Sequence, residues 1–334
     1  MIRNQQEIIE TTEKVRLDPV FIIGYSRSGT TMLRLMLNKH PELFIPKESE
    51  YFQQIPKQYR NRIHQIKDID YILQTIPDYY SSILNKEHFE KLLRENLPGD
   101  NRVLLACLYK ACAISTGKEN ARWGDKKPQH WQFVYHLQKW YPKAQFVNIV
   151  RDPRDVITSM EKSLPENIPL RQFFPAHIIV AWQWQYVYKT MTVQEKILGN
   201  ERYLKLRYQD LVSNPKENLE QICDFLHEKT DYISEMLNFY QEARDPKLSD
   251  KGEQFRGTKN QVNTQSIGNF RDFLNQQQIE DIEYICGETM AEMGHSKVST
   301  SPAIGRRIYL NSVCYTLTNL WKAVRVNRLL KGSL

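Results

Sequence analysis

Residues 24–31, G-Y-S-R-S-G-T-T, carry two glycines five apart, Gly24 and Gly29, followed at once by two threonines. This is the glycine spacing of a phosphate-wrapping loop, G-x-x-x-x-G-K-[ST], with Thr30 standing where the lysine would be. A loop of this kind between a strand and a helix start turns several backbone N–H groups toward an anion. Arg27 adds a charge, and Ser28, Thr30 and Thr31 add hydroxyl donors. A nucleoside triphosphate also needs cations beside its β and γ phosphates, which the lysine and magnesium supply. Without that lysine, the loop suits a ligand with less charge at the transferred end, or one whose cation arrives from elsewhere in the chain. A turn whose glycines serve geometry alone is the competing account. A second cluster is N-I-V-R-D-P-R-D-V-I-T-S, residues 148–159. Arg151 leaves a strand end there and Ser159 lies two turns into the following helix, so a guanidinium and a hydroxyl can close on a phosphate. Arg154 and Asp155 read better as members of a charged network, with Arg151 and Asp152, that caps the helix.

These residues need elements to hold them. The apolar run P-V-F-I-I (19–23) predicts a strand buried on both faces, as in parallel sheets. A helix then runs from about Thr30 to Pro41, before which helical geometry is disfavoured. Helices are expected over 61–76, 86–96 and 101–116. R-W-G-D-K-K-P (122–128) reads as a short extended piece ending in a loop, with Pro128 opening a helix through Tyr141. Further strands are expected at 144–150 and within 202–211, with helices after Asp152–Pro153 and near Pro215. Strands alternating with helices predict an α/β fold, a P-loop-like parallel sheet flanked by helices. Ligands in such folds sit at the carboxyl ends of strands, where both clusters fall. Residues 1–300 are expected to form one domain and 301–334 a basic helical tail.

Across 334 residues, 41% are hydrophobic and 25% charged, ordinary values for a globular chain. No apolar run approaches the ~20 residues that span a bilayer, and the polar stretch 1–16 does not read as a secretory signal. Five scattered cysteines without C-x-x-C spacing suit reduced thiols better than a disulfide framework or a zinc site. These features point to a cytoplasmic placement. Six of the seven excess positive charges fall in the tail, so nucleic-acid binding is not implied for the body.

The loop and the arginine cluster belong to an ordered series: R-S-G-T-T, H-P-E-L-F-I-P-K-E (40–48), G-D-K-K-P (124–128), R-D-P-R-D…S, L-R-Y-Q-D-L-V-S-N-P (206–215) and S-I-G-N-F (266–270). Over residues 19 to about 275 the chain resembles sulfotransferases that use 3′-phosphoadenosine 5′-phosphosulfate (PAPS), in the branch with an R-S-G-T-T loop that includes tyrosylprotein sulfotransferases and bacterial relatives. The resemblance implies that the loop, Arg27 through Thr31, holds the 5′-phosphosulfate without a metal, and that Arg151 and Ser159 hold the 3′-phosphate. A sulfuryl group carries less charge than a phosphoryl group, so positioning and a few fixed donors suffice to transfer it. By the same resemblance the base for a hydroxyl or amine acceptor falls on Glu48, with Glu50 as the fallback. Lys126 reaches the leaving group and Arg27 assists at the sulfuryl group, while Lys127 faces water. Tyr208 matches a position near the nucleotide, with a buried strand-end tyrosine as the alternative. Thr258 and Ser266 lie in the segment that covers the adenosine. The chain departs from the family at Ser163, where a further basic residue is common.

Two other classes remain open on the residues. A P-loop kinase or NTPase that borrows Lys126 would need an acid at a strand end, but V-N-I-V is followed by Arg151. A nucleotide-binding protein without turnover would be expected to lack Glu48 and Lys126, and both are present. In the tail, Leu310, Val313, Leu317, Leu320 and Val324 form an apolar stripe with Lys322 and Arg325 off it. Such a helix either docks on the body or pairs with another copy, or it lies peripherally on an anionic membrane. Trp182 and Trp184, with Phe173, Phe174 and Tyr186, either pack in the core or line an acceptor pocket.

Overall fold

The computed structural model describes residues 15–48, 63–74, 76, 80, 83–161, 172–244 and 257–330. Glu50 and Ser163 lie outside the described residues. Contacts divide the chain into two compact units, residues 1–149 with 194–262 and residues 150–193 with 263–334. The strands are β1 (Val20–Gly24), β2 (Leu43–Phe44), β3 (Arg122–Lys126), β4 (Gln145–Val150) and β5 (Tyr203–Arg207). The helices used below are α1 (Thr30–Asn38), α2 (Lys86–Asn96), α3 (Asn101–Ser115), α4 (Pro153–Glu161), α5 (Ala176–Leu198), α6 (Tyr208–Ser213), α7 (Pro215–Leu226), α8 (Gln276–Glu292) and α9 (Ile304–Leu330).

The first unit is built on a five-stranded sheet in the order β2-β3-β1-β4-β5. The pairs β1–β3, β1–β4 and β2–β3 all run parallel. From the central β1 the chain moves out to β2 and β3 on one side, then returns to β4 on the other. That reversal opens a crevice beyond the carboxyl end of β1, the place where α/β sheets bind ligands. Every residue of β1 is buried, as its unbroken apolar run requires. Phe21 stacks on Phe146 of β4 at a 5.3 Å centroid distance and meets Trp123 of β3 edge-on. α1 is buried nearly all round and includes Arg34, 1% exposed. The expected helix from Pro128 through Tyr141 is instead a 3₁₀ turn, Pro128–Gln132, and a helix, Val134–Trp140, divided at Phe133 (φ −115°, ψ 3°). Residues 86–96 and 101–115 are helical as expected.

The second unit packs α4, the first part of α5, α8 and α9. Cys286 on α8 donates to the Ala181 carbonyl of α5, and Trp182 Nε1 donates to Thr318 Oγ1 of α9 at 3.0 Å. Leu310, Val313 and Leu317 of the tail stripe are buried, whereas Leu320 is exposed. Tail residues 304–330 thus dock within this unit as a helix. Trp184 is buried and stacks on Tyr188, which makes it a core residue, while Phe173 is exposed. No described helix is long and apolar enough to cross a membrane.

Candidate active site

In the first unit the site grows from the loop between β1 and α1. Gly29 caps α1 in the left-handed region (φ 98°), where an L side chain is strained. A Cβ there would meet the Tyr208 ring at 2.6 Å, so Tyr208, at the start of α6, lies directly on the loop. Gly24 is held as closely, since a Cβ on it would come within 2.5 Å of the Ile149 carbonyl oxygen. Arg27 also takes a left-handed φ, 71°, and is half-buried. The Ser28 amide donates to the Tyr25 carbonyl at 3.2 Å, closing the turn. This removes the Ser28 amide from the expected anion donors and leaves that task to the first-turn amides of α1, which a helix cannot satisfy internally. The Ser28 hydroxyl is fully buried with no hydrogen-bond partner among the described residues. A buried hydroxyl beside a helix N-terminus that carries no acid in its first turn fits an anionic ligand.

The cation that the loop lacks comes from β3. Lys126 is the last residue of that strand, parallel to β1 and paired in register with Ile22. Its side chain is 1% exposed. Lys126 Nζ donates to Thr31 Oγ1 at 3.2 Å and to Glu48 Oε2 at 2.9 Å. Residues expected separately as a loop donor, a base and a cation therefore converge on one ammonium. Glu48 is half-buried in the segment after β2. Lys127, expected to face water, is buried, because residues 121–128 form one continuous buried run.

Asp125, the residue before Lys126 in β3, forms a buried pair with a histidine. His130 Nε2 is 2.7 Å from Asp125 Oδ2, both residues are buried, and His130 packs edge-on against Phe21. The pair ties β3 to the turn that follows it. An acid before Lys126 with a histidine five positions on was the available signal. His40, Glu42 and Glu228 bring three possible metal-ligand atoms within 4.8 Å. The chain itself uses both His40 nitrogens, one against the Lys229 carbonyl at 2.9 Å and the other accepting from the Glu42 amide at 3.1 Å.

In the second unit Arg151 follows β4 directly and is buried. One of its Nη groups donates to the Ser266 carbonyl at 2.7 Å, bringing those two expected residues together. Ser159 lies half-buried on α4. Asp155 accepts from the amides of Gly268 at 2.9 Å and Phe270 at 3.2 Å, so α4 anchors the S-I-G-N-F segment. Burial pushes the Asp155 carboxyl above its ordinary range, with those amides opposing the shift. The expected capping network is real for Arg154, which pairs with Asp152 at 2.6 Å and with Glu283 at 2.5 Å. Asp155 instead serves the later segment. Thr258 lies in a helical turn over 257–259 of the first unit, so it and Ser266 fall in different units.

A family description reading "Sulfotransferase family" matches residues 19–232. The chain is 22% identical over 235 residues to a protein-tyrosine sulfotransferase of Drosophila melanogaster, covering 68% of this chain and 42% of that one. It is 24% identical over 211 residues to protein-tyrosine sulfotransferase A of Caenorhabditis elegans, covering 62% of this chain and 49% of that one. It thus spans less than half the length of these two relatives. The fold is like that of the sulfotransferase domain from the curacin biosynthetic pathway, at TM-score 0.53 and 18% identity over 84% of this chain and 98% of that domain. With the match running through well over half its length, from β1 past α7, the chain belongs to the sulfotransferase family.

Proposed function

We propose that the protein transfers the sulfuryl group of PAPS to a hydroxyl-bearing acceptor by in-line displacement, without a metal. The observation that carries this reading is the Lys126 ammonium, buried against the loop and shared by Thr31 and Glu48. A loop of phosphate-binding shape without its own lysine here has a cation from the neighbouring strand. The first-turn amides of α1, the Ser28 hydroxyl and Thr30 and Thr31 hold the 5′-phosphosulfate, with Arg27 at the sulfuryl oxygens. Tyr208 walls the loop. Arg151 and Ser159 take the 3′-phosphate, and Thr258 and Ser266 are assigned to the segment that covers the adenosine and its 3′-phosphate.

Lys126 is paired with Glu48 at 2.9 Å. When the donor binds, Lys126 turns its proton toward the oxygen bridging sulfur and phosphorus, where negative charge builds as the S–O bond breaks. Glu48 then accepts the proton of the attacking hydroxyl. Proton acceptance and leaving-group stabilisation are thus placed on two residues already in contact. The names of the relatives favour a phenolic hydroxyl among acceptors.

Incubation with sulfur-labelled PAPS and a panel of phenols, tyrosine peptides, sugars and aliphatic alcohols tests the reading. Label transferred to at least one hydroxyl, and reduced about 10²-fold or more by Lys126→Ala, supports it. Label passed to none of them by a protein that binds the donor would favour a non-catalytic binding protein.

A further inference from the structure

The docked tail helix has a second apolar row, turned away from the body. Ile304, Ile308 and Tyr315 are 68%, 65% and 72% exposed. At about 100° per residue these three lie within about 40° of one line along α9, and Lys322 continues the same line. The inward stripe of Leu310, Val313 and Leu317 is on the other side and already buried. Docking alone does not call for large apolar side chains on the outward side, where they alternate with the exposed Asn311 and Asn319.

Beside this row, wholly within the second unit, an open groove of about 520 Å³ runs between α5 and α9. Trp182, Tyr186 and Tyr315 line it, together with Lys189 and Lys322. Trp321 closes on the same rings, 6.0 Å from Tyr186 and 6.4 Å from Trp182. Tryptophan and tyrosine with lysine is the composition of side chains that sit at the boundary between headgroups and acyl chains.

Charge selects the occupant. Residues 301–334 carry six basic residues and no acid. Arg306 is paired with Asp281 at 2.5 Å, and Lys189 is 3.5 Å from Glu288; Lys322 is exposed on α9. A second copy of this chain docked on the same face would bring two such tails together, like charge against like. An anionic bilayer supplies the complement, each basic residue near its surface strengthening attachment about fivefold.

We propose that the outer face of α9, with its groove, rests on an anionic phospholipid surface. The apolar row enters the acyl boundary, while Lys189 and Lys322 meet headgroup phosphates. The contact is peripheral. It is independent of the transfer reaction, so failure of either reading leaves the other standing.

Co-sedimentation of the full-length chain with phosphatidylcholine vesicles, with and without about one-third phosphatidylserine, tests this. Partitioning at least about tenfold stronger with phosphatidylserine is expected, weakening as salt is raised. Lys189→Glu with Lys322→Glu should cut it about tenfold or more, and Ile308→Ser with Tyr315→Ser severalfold, with unchanged thermal melts in both variants. Equal partitioning to the two vesicle types would overturn the proposal. So would a stable dimer by light scattering that Ile308→Ser with Tyr315→Ser dissolves, in a protein that ignores both vesicle types.

Discussion

At the scale of single residues, Lys126 has two partners and a third in prospect. The Glu48 contact is at 2.9 Å, but Glu48 is one-third exposed, so the pair contributes about 1 kcal/mol or less. Glu48→Gln should therefore lower turnover about 10²-fold while tightening donor binding up to about fivefold, because Lys126 loses a competing partner. Single-turnover kinetics and titration with a non-transferable donor separate the two effects, and unchanged turnover would remove Glu48 as the base. Gly29→Ala is expected to cost stability by about 1–3 kcal/mol and donor affinity about tenfold, since the new Cβ meets both an unfavourable φ and the Tyr208 ring at 2.6 Å. Calorimetric melting and donor titration would check it.

At the scale of elements, much was legible because the signals are local. The unbroken apolar run of β1, the glycines of the loop and the prolines opening α4 and α7 fix strand, turn and helix within a few residues of each other. Lys126 could be chosen from G-D-K-K-P through resemblance alone; its contact with Thr31 depends on the parallel register of β3 on β1. What could not be read was distant pairing. Asp155 looks like a member of a helix-capping network, yet its partners lie more than 110 residues onward. Arg34 and Lys127, charged and buried, resemble surface residues in sequence, because burial is set by which elements close over them. Asp155→Ala should destabilise the protein by about 2 kcal/mol by leaving the buried Phe270 amide and the part-buried Gly268 amide without an acceptor, and Asp155→Asn should recover about half. Equal losses for the two variants in urea denaturation would contradict the anchoring role.

At the scale of the whole molecule, pH acts through carboxyl groups the reaction does not use. Burial pushes Glu228 up to about 7 from 4.5, opposed by Arg122 and Arg16. A carboxyl raised in the folded state binds a proton on folding, so its stabilising contribution is full below about 4.5 and lost as pH rises toward 7. Glu228→Gln should then be more stable than the wild type at pH 8, by up to about 3 kcal/mol, and differ little at pH 4. Glu283 has the opposite sign. Burial alone would raise it, but hydrogen bonds from the Ser299 hydroxyl and the Val298 and Ser299 amides, with Arg154, hold it below its ordinary range. The stability it contributes is present above 4.5 and fades as pH falls through its lowered value. Denaturant melts of both Glu→Gln variants from about pH 2 to pH 8 would show the two slopes, that of Glu283 below 4.5 and that of Glu228 above it.

The central claim is that the β1–α1 loop and the Lys126 ammonium were shaped for a sulfonated nucleotide instead of a triphosphate. Calorimetric titration of the full chain with adenosine 3′,5′-bisphosphate, in the absence of magnesium, and with magnesium–ATP tests it most directly. Dissociation constants of about micromolar for the bisphosphate, at least about tenfold tighter than for magnesium–ATP, are expected. Tighter binding of magnesium–ATP would contradict the claim and return the chain to the nucleoside-triphosphate enzymes.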